Sequence, residues 1–284
     1  MQHLLIDPEL GELDLSCENG YVVESYDLGV PETRGVMSNR TFTNGAIDRT
    51  RFYGARTVTM NITLDGSVQS CSRLRDRLAA YLRPFRRVEY RFIEPGDDRE
   101  RRMVLRGAQG GVPISHPRFN KMAVSFVCPD GVIEGVDEKI ITLYPGADTE
   151  FGRSYDLTFD RVYPESPTIG TRLITNEGTE DAHWRARIYG AMTNPVLSLN
   201  SDQIDFSGNL GAGLTLSAGQ PLTIDSRGRE AYLDGNVATP ALQFVNLTNT
   251  TWWTVPPGTH QLRIDADTFD SQASVVFVFR DCWS

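Results

Sequence analysis

Residues 57 to 64 read Thr57-Val-Thr-Met-Asn-Ile-Thr-Leu64, and polar and apolar side chains alternate along this stretch without a break. The apolar members are Val58, Met60, Ile62 and Leu64. A period of two is typical of a β-strand that buries one face in a core and turns the other to water. The stretch therefore predicts a half-buried strand near the centre of a β unit.

A helix is predicted directly after this strand. Asp65-Gly66 interrupts the alternation, and apolar residues then recur at helical spacing until Pro84, which cannot continue a helix. These residues are Val68, Cys71, Leu74, Leu78, Tyr81 and Leu82. The period of two resumes at Val88-Glu-Tyr-Arg-Phe92. We therefore expect one α-helix, over about residues 67–83, inserted between strands of a mainly β domain.

Length and composition indicate a globular chain of two domains. The chain has 284 residues, of which 40% are hydrophobic and 23% charged, enough for two separate cores. Tyr144-Pro-Gly-Ala-Asp148 has the composition of a linker. We predict a first domain over residues 1–148 and a second over residues 149–284. No apolar run approaches the roughly 18 residues of a membrane-spanning helix.

Both domains are predicted to be β-sandwiches. In the first, which is sandwich- or split-barrel-like, Asn19-Gly20 is expected to turn a hairpin between strands at residues 4–6 and 21–23, and Asn44-Gly45 a second. In the second, short apolar segments such as Leu242-Gln-Phe-Val245 are separated by Gly, Asn, Asp and Pro. Frequent short strands with such turns are typical of a jelly-roll-like sandwich.

Motifs for catalysis are absent from the sequence. The four cysteines lie far apart, and no pair has metal-ligand spacing. No two histidines lie within a helical turn of each other, and no Gly-x-Ser-x-Gly elbow occurs. We therefore predict that the chain is not an enzyme and has no catalytic, cofactor-binding or metal-binding residues.

Trp252 and Trp253 are the clearest candidates for a binding site. Adjacent aromatic rings before Pro256-Pro257-Gly258 could stack on a sugar. Neighbouring residues of a strand face opposite sides, so at most one ring is expected outside the core. The alternatives are packing in a core or interface, because such rings hide a large apolar area, and contact with a glycan.

The predicted helix carries Arg73, Arg77 and Arg83 opposite its apolar stripe. These arginines form either a solvated face or a basic rim that meets an acidic partner subunit. The net charge of −9 argues against general nucleic-acid binding, for which a basic excess is usual.

The order of motifs along nearly the whole chain resembles the distal tail proteins of long-tailed, non-contractile bacteriophages, the siphoviruses. In the first domain the motifs are the strand from Gly54 to Leu64, the helix ending Arg77-Leu-Ala-Ala-Tyr-Leu-Arg-Pro84, Tyr90-Arg-Phe92 and Pro95-Gly96. In the second they are Asn176-Glu-Gly-Thr179, Ile188-Tyr-Gly190, Asn194-Pro195, Leu222-Thr-Ile-Asp225, Trp252-Trp253 and Arg280-Asp-Cys-Trp283.

The resemblance implies a structural virion protein of the tail tip, made in the bacterial host cytoplasm, and it brings no catalytic residues. The first domain would form a homo-oligomeric ring, expected to be a hexamer, that continues the tail tube. DNA would pass through its lumen without specific binding. The tail tube, hub or tip, and tape measure proteins are the implied partners. The second domain, galectin- or carbohydrate-module-like, would project outwards. The alternative is a carbohydrate-binding minor tail protein that contacts host glycans through Trp252 or Trp253.

Overall fold

The computed structural model describes residues 2–34, 37–39, 46–48, 52–107, 120–145, 170–208 and 213–284. It is mainly β with antiparallel sheets, as predicted, and it divides into two compact units. The first unit comprises Met1–Val136 with Trp283–Ser284, and the second comprises Asp137–Cys282. The division lies upstream of residue 148, and the end of the chain returns to the first unit.

In its described residues, the first unit contains strands, one α-helix and one short 3₁₀ helix. The α-helix is α1 (Val68–Tyr81), and the 3₁₀ helix spans Cys17–Asn19. The strands are β1 (His3–Asp7), β2 (Gly11–Asp14), β3 (Tyr21–Asp27), β4 (Thr33–Arg34), β5 (Met37–Asn39), β6 (Ala46–Asp48), β7 (Phe52–Tyr53), β8 (Arg56–Leu64), β9 (Val88–Ile93), β10 (Glu100–Gly107), β11 (Lys121–Cys128) and β12 (Ile133–Gly135).

The main sheet of this unit has the strand order β2-β1-β9-β10-β11-β8-β3, with β12 paired to β10. β4 pairs with β7, and β5 pairs with β6. In β8, every second residue from Arg56 to Leu64 is buried and the residues between them are mostly exposed, which confirms the strand predicted from residues 57 to 64. The buried face joins side chains from β1, β9, β10 and β11 in one core. Trp283 packs into the same core.

Helix α1 covers this core and lies where the sequence predicts it. Ser67 caps its first turn, since the Ser67 hydroxyl accepts the Ser70 N–H. Cys71, Leu78 and Tyr81 are buried in the core. The helix ends at Tyr81, ahead of Pro84. Within the described ranges, no helix is long and apolar enough to cross a membrane.

Two local predictions were wrong. Residues 4–6 and 21–23 do not form a hairpin, because β1 pairs with β2 and β9 while β3 pairs with β8. Asn19-Gly20 instead ends a 3₁₀ helix, with Gly20 in the left-handed conformation (φ 82°). Leu242–Phe244 is a second 3₁₀ helix, not a strand, since its N–H groups bond three residues back. The turn expected at Asn44-Gly45 lies outside the described residues.

The second unit is a β-sandwich. Its two larger sheets have the orders β13-β24-β15-β20-β21 and β14-β22-β17-β18, and a small sheet has the order β19-β16-β23. The strands are β13 (Lys139–Leu143), β14 (Thr171–Asn176), β15 (Trp184–Tyr189), β16 (Met192–Thr193), β17 (Val196–Leu199), β18 (Asp202–Asp205), β19 (Thr215–Leu216), β20 (Leu222–Asp225), β21 (Glu230–Leu233), β22 (Gly258–Asp265), β23 (Thr268–Phe269) and β24 (Ser274–Phe279). A further strand, β25 (Cys282–Trp283), belongs to none of these sheets, and its Trp283 is part of the first unit. Alternate residues of β15 and β24 enter a single apolar core.

Candidate functional site

Several arginines of the first unit form ion pairs within that unit. On the outer face of the main sheet, Arg102 bridges Glu89 at 3.0 Å and Glu134 at 2.7 Å, and Arg91 contacts Glu89. These residues lie on the neighbouring strands β9, β10 and β12, so the ion pairs link the three strands. Arg101 pairs with Asp97 and stands over the Trp283 ring, 4.8 Å from its centroid. These side chains already have acidic or aromatic partners within their own unit.

The arginines of the helix are different. Arg73, Arg77 and Arg83 are all exposed, and within the described ranges none of them forms an ion pair. Arg73 and Arg77 lie on α1 itself, while Arg83 lies just beyond its last turn. They are open to solvent in the isolated chain, and their role as a contact surface stays a prediction.

The turn that follows the helix presents the most exposed large apolar side chain of the described residues. Arg83-Pro84-Phe85-Arg86 is closed by a hydrogen bond from the Arg86 N–H to the Arg83 carbonyl, 3.0 Å. Phe85, at the tip of this turn, is 98% exposed. Pro84 restricts the backbone of the turn. The turn borders a cleft of about 550 Å³ lined by Asp7, Pro8, Glu9, Arg83, Phe85, Arg86 and Arg87.

A buried carboxylate holds this turn in place. Asp7, at the end of β1, is almost fully buried and accepts a hydrogen bond of 2.9 Å from Arg86. It also accepts the backbone N–H groups of Glu9 and Leu10, each at 2.9 Å. Burial alone would raise the pKa of Asp7, but the two N–H groups and the Arg86 guanidinium outweigh it, so that this pKa is lowered. Arg86 is thereby fixed, and Arg83 and Arg87 flank it.

The lowered pKa of Asp7 predicts a loss of stability in acid. Native Asp7 binds its proton less readily than unfolded Asp7, so it stabilises the fold above its usual pKa of 3.8, and this contribution is lost as the pH falls through the native value. We expect Asp7→Asn to lower the free energy of unfolding by about 1–3 kcal/mol at pH 7 and by progressively less below about pH 4. Urea unfolding of the wild type and the variant at pH 7, 4 and 3 measures the destabilisation and its decrease in acid.

Glu9→Gln is the matched control, because Glu9 contacts the same Arg86 at 3.1 Å from an exposed position. Its removal should cost less than about 1 kcal/mol. A destabilisation by Asp7→Asn that is the same at all three pH values would contradict the assignment.

A second exposed surface follows β3. Val30 is 85% exposed, and two exposed acids, Asp27 and Glu32, flank it in the sequence. The Glu32 backbone bonds to Ala55 and Gly54, which places it beside Tyr53, a ring that is more than half exposed. Apolar and acidic side chains thus share one surface of the first unit.

The tryptophan pair of the second unit lies mostly inside. Trp253 is 5% exposed and stacks on Trp184, with ring centroids 4.2 Å apart, and on Phe277 at 5.9 Å. Trp184 donates its indole N–H to the Trp253 carbonyl, 2.9 Å. Trp252 is half-buried against the same core. Trp253 therefore has no free face for a sugar ring, and any glycan contact at this pair would rest on Trp252.

In the described ranges, no group of three or more His, Cys, Asp or Glu side chains is arranged to hold a metal ion. The predicted lack of a metal site, a cofactor and catalysis stays a prediction. Sequence reasoning missed Phe85, Val30 and the Asp7–Arg86 pair. The run Arg83-Pro-Phe-Arg-Arg87 could have revealed the exposure of Phe85, because an aromatic residue beside a proline and among charged residues is seldom buried in a core.

No family model and no curated protein matches the chain. Among solved structures it is similar to the Dit (gp 19.1) protein of phage SPP1, described as a paradigm of the hub adsorption apparatus in phages that infect Gram-positive bacteria. The TM-score is 0.63 at 14% sequence identity, and the match covers 99% of both chains. A chain of the phage P2 baseplate in its activated conformation aligns with a TM-score of 0.46 and 9% identity, over 98% of this chain and 97% of that one. The likeness to the SPP1 protein confirms the resemblance inferred from the sequence at the level of fold: this chain has the fold of a Dit protein over nearly its entire length.

Proposed function

We propose that the chain is a structural subunit of a bacteriophage tail tip, and that its first unit forms a closed homo-oligomeric ring between the tail tube and the tip. The observation that carries the proposal is the match to the SPP1 Dit protein over 99% of both chains. The similarity extends across both units. It therefore favours a shared overall role over the chance occurrence of one common β-sandwich domain in both proteins. A hexamer is the expected stoichiometry, with the tube, hub and tape measure proteins as neighbours.

The edges of the main sheet support assembly. β2 and β3 stand at the two ends of the strand order, and each pairs on one side with a described strand. A sheet edge with free N–H and C=O groups is prone to pair with another chain unless it is covered. Repeating one such contact by rotation closes a ring and covers every edge.

The outer face of β8 and β11 suits the passage of DNA. Its side chains are short, polar or small, and mostly exposed: Thr57, Thr59, Asn61, Thr63, Ala123 and Ser125. Lys121 is the cation at its margin, and Glu24 neutralises it at 2.7 Å. Binding of DNA by proteins relies on unpaired cations that replace its counterions. A lumen walled by this face would present neutral side chains to the phosphates, and the cation at its margin is already paired.

Electron microscopy of the purified protein, with its mass measured by light scattering, tests the ring. We expect a ring with a central hole and a mass that is an integral multiple of 31.7 kDa, six-fold for a hexamer. Immunogold labelling of tails should mark the tip. A protein that stays monomeric at high concentration and is absent from the tail tip would refute the proposal. The glycan-binding alternative predicts instead a signal on a glycan array that Trp252→Ala abolishes while the fold is retained.

A further inference from the structure

Two surfaces of the first unit are complementary to each other. The arginine knob consists of Arg83, Phe85 and Arg87, all exposed at the turn after α1. The acidic patch consists of Asp27, Val30, Glu32 and Tyr53, also exposed. The knob offers two cations around an aromatic ring, and the patch offers two carboxylates around apolar side chains. We propose that the knob of one copy docks on the acidic patch of the next copy, and that this contact builds the ring of the proposed function.

The knob has the features of an interface anchor. Its aromatic ring is almost fully exposed, although burial of a Phe side chain is favourable. Its arginines belong to the residue type most enriched, with Trp and Tyr, at the energetic centres of interfaces. Arg83 and Arg87 have no ion-pair partner in the described part of the chain, in contrast to Arg91, Arg101 and Arg102.

The knob is also preorganised. Pro84 and the Arg83–Arg86 hydrogen bond set the turn, and the buried Asp7 holds Arg86 between Arg83 and Arg87. Ordering a loop on binding costs free energy, and a turn that is already ordered avoids this cost. The backbone that carries Phe85 is therefore already ordered before a partner binds.

The knob and the patch lie near opposite ends of β1. The knob is tied to Asp7, at the end of β1. The patch begins one residue after Tyr26, whose ring lies 5.0 Å from the ring of His3, at the start of the same strand. Five residues of strand place these ends about 13 Å apart. A knob at one end and a patch at the other fit a head-to-tail contact between copies, the type of contact that closes rings.

A mixing experiment tests whether the knob of one copy meets the patch of the next. The knob variant carries Arg83→Ala, Phe85→Ala and Arg87→Ala, and the patch variant carries Val30→Arg, with Glu32→Arg as a second form. Each variant alone should be monomeric at concentrations where the wild type forms rings, with the assembly concentration raised at least roughly thirty-fold. An equal mixture should give a species of two chains, because one intact knob meets one intact patch and the remaining surfaces are both defective.

Masses by light scattering and rings by electron microscopy give the readout, with unaltered near-UV circular dichroism and urea midpoints as the check of folding. Leu173→Ala, at an exposed apolar residue of the second unit, is the control that should keep the ring. A wild type that stays monomeric refutes the proposed ring, and the contact with it. A wild type that forms rings while the folded knob variant forms them equally well refutes the contact alone, and the knob then serves a different protein. The proposed contact is also refuted if the mixture gives rings, or dimers of one variant with itself, instead of dimers that contain one chain of each variant.

Discussion

Trp184→Ala is expected to destabilise the second unit by about 3–5 kcal/mol, the cost typical of removing a buried tryptophan. The substitution removes the ring that stacks on both Trp253 and Phe277, and with it the hydrogen bond to the Trp253 carbonyl. Domains of this size are stable by about 5–15 kcal/mol, so the loss is a large fraction of the total. Urea unfolding followed by tryptophan fluorescence and near-UV circular dichroism measures it.

Trp252→Ala is the matched control for this prediction. Trp252 is half-buried at the margin of the same core, and its replacement should cost less than half as much. Equal destabilisation by the two variants would contradict the central position assigned to Trp184. The same pair of proteins tests the glycan alternative, because Trp252→Ala keeps the fold in which a sugar contact can be measured.

Gly107→Ala is expected to have an effect of comparable size on the first unit, at least about 3 kcal/mol. A Cβ at Gly107 would overlap the carbonyl oxygen and carbon of Leu82, the residue that caps α1, and would lie 3.2 Å from the carbonyl carbon of Arg83. These are backbone atoms, so no rotamer change relieves the overlap. Overpacking typically costs 1–3 kcal/mol where side chains can adjust, and more where they cannot.

This substitution should also disturb assembly, because the knob begins at Arg83, immediately after the overlap. Gly219→Ala is the control: its Cβ meets nothing within 4 Å, and the change should stay within about 0.5 kcal/mol. Thermal unfolding and the mass of the assembly are the measurements. A Gly107→Ala protein as stable as the wild type would show that the helix and β10 are further apart than described.

The elements that could be predicted from the sequence are those with a local cause. The alternation of residues 57 to 64 specifies a strand because each side chain faces the side opposite its neighbour. The helix is bounded by Ser67 and Pro84, which act on the nearest turn of backbone. The core position of one tryptophan of the pair follows from the same alternation, although which of the two enters the core does not.

The features that escaped prediction depend on distant parts of the chain. Asn19-Gly20 has the composition of a hairpin turn, yet β1 and β3 each find a better partner, β9 and β8, more than thirty residues further along the chain. The hydrogen bond between Arg86 and Asp7 joins residues 79 positions apart, and no local pattern encodes it. The exposure of Phe85 follows from that anchor. Ring closure is a property of several copies, which a single chain specifies only through its surfaces.

The return of Trp283 to the first unit has a consequence for biosynthesis. Its ring packs in the first core under the Arg101 guanidinium, but the ribosome reaches it only after the entire second unit has been translated. At about 5–20 residues per second, the first unit waits for the Trp283 ring for roughly seven to thirty seconds. A nascent chain that has not reached residue 283 therefore carries a first unit without this ring, and the full stability of that unit has to wait until the second unit has been translated.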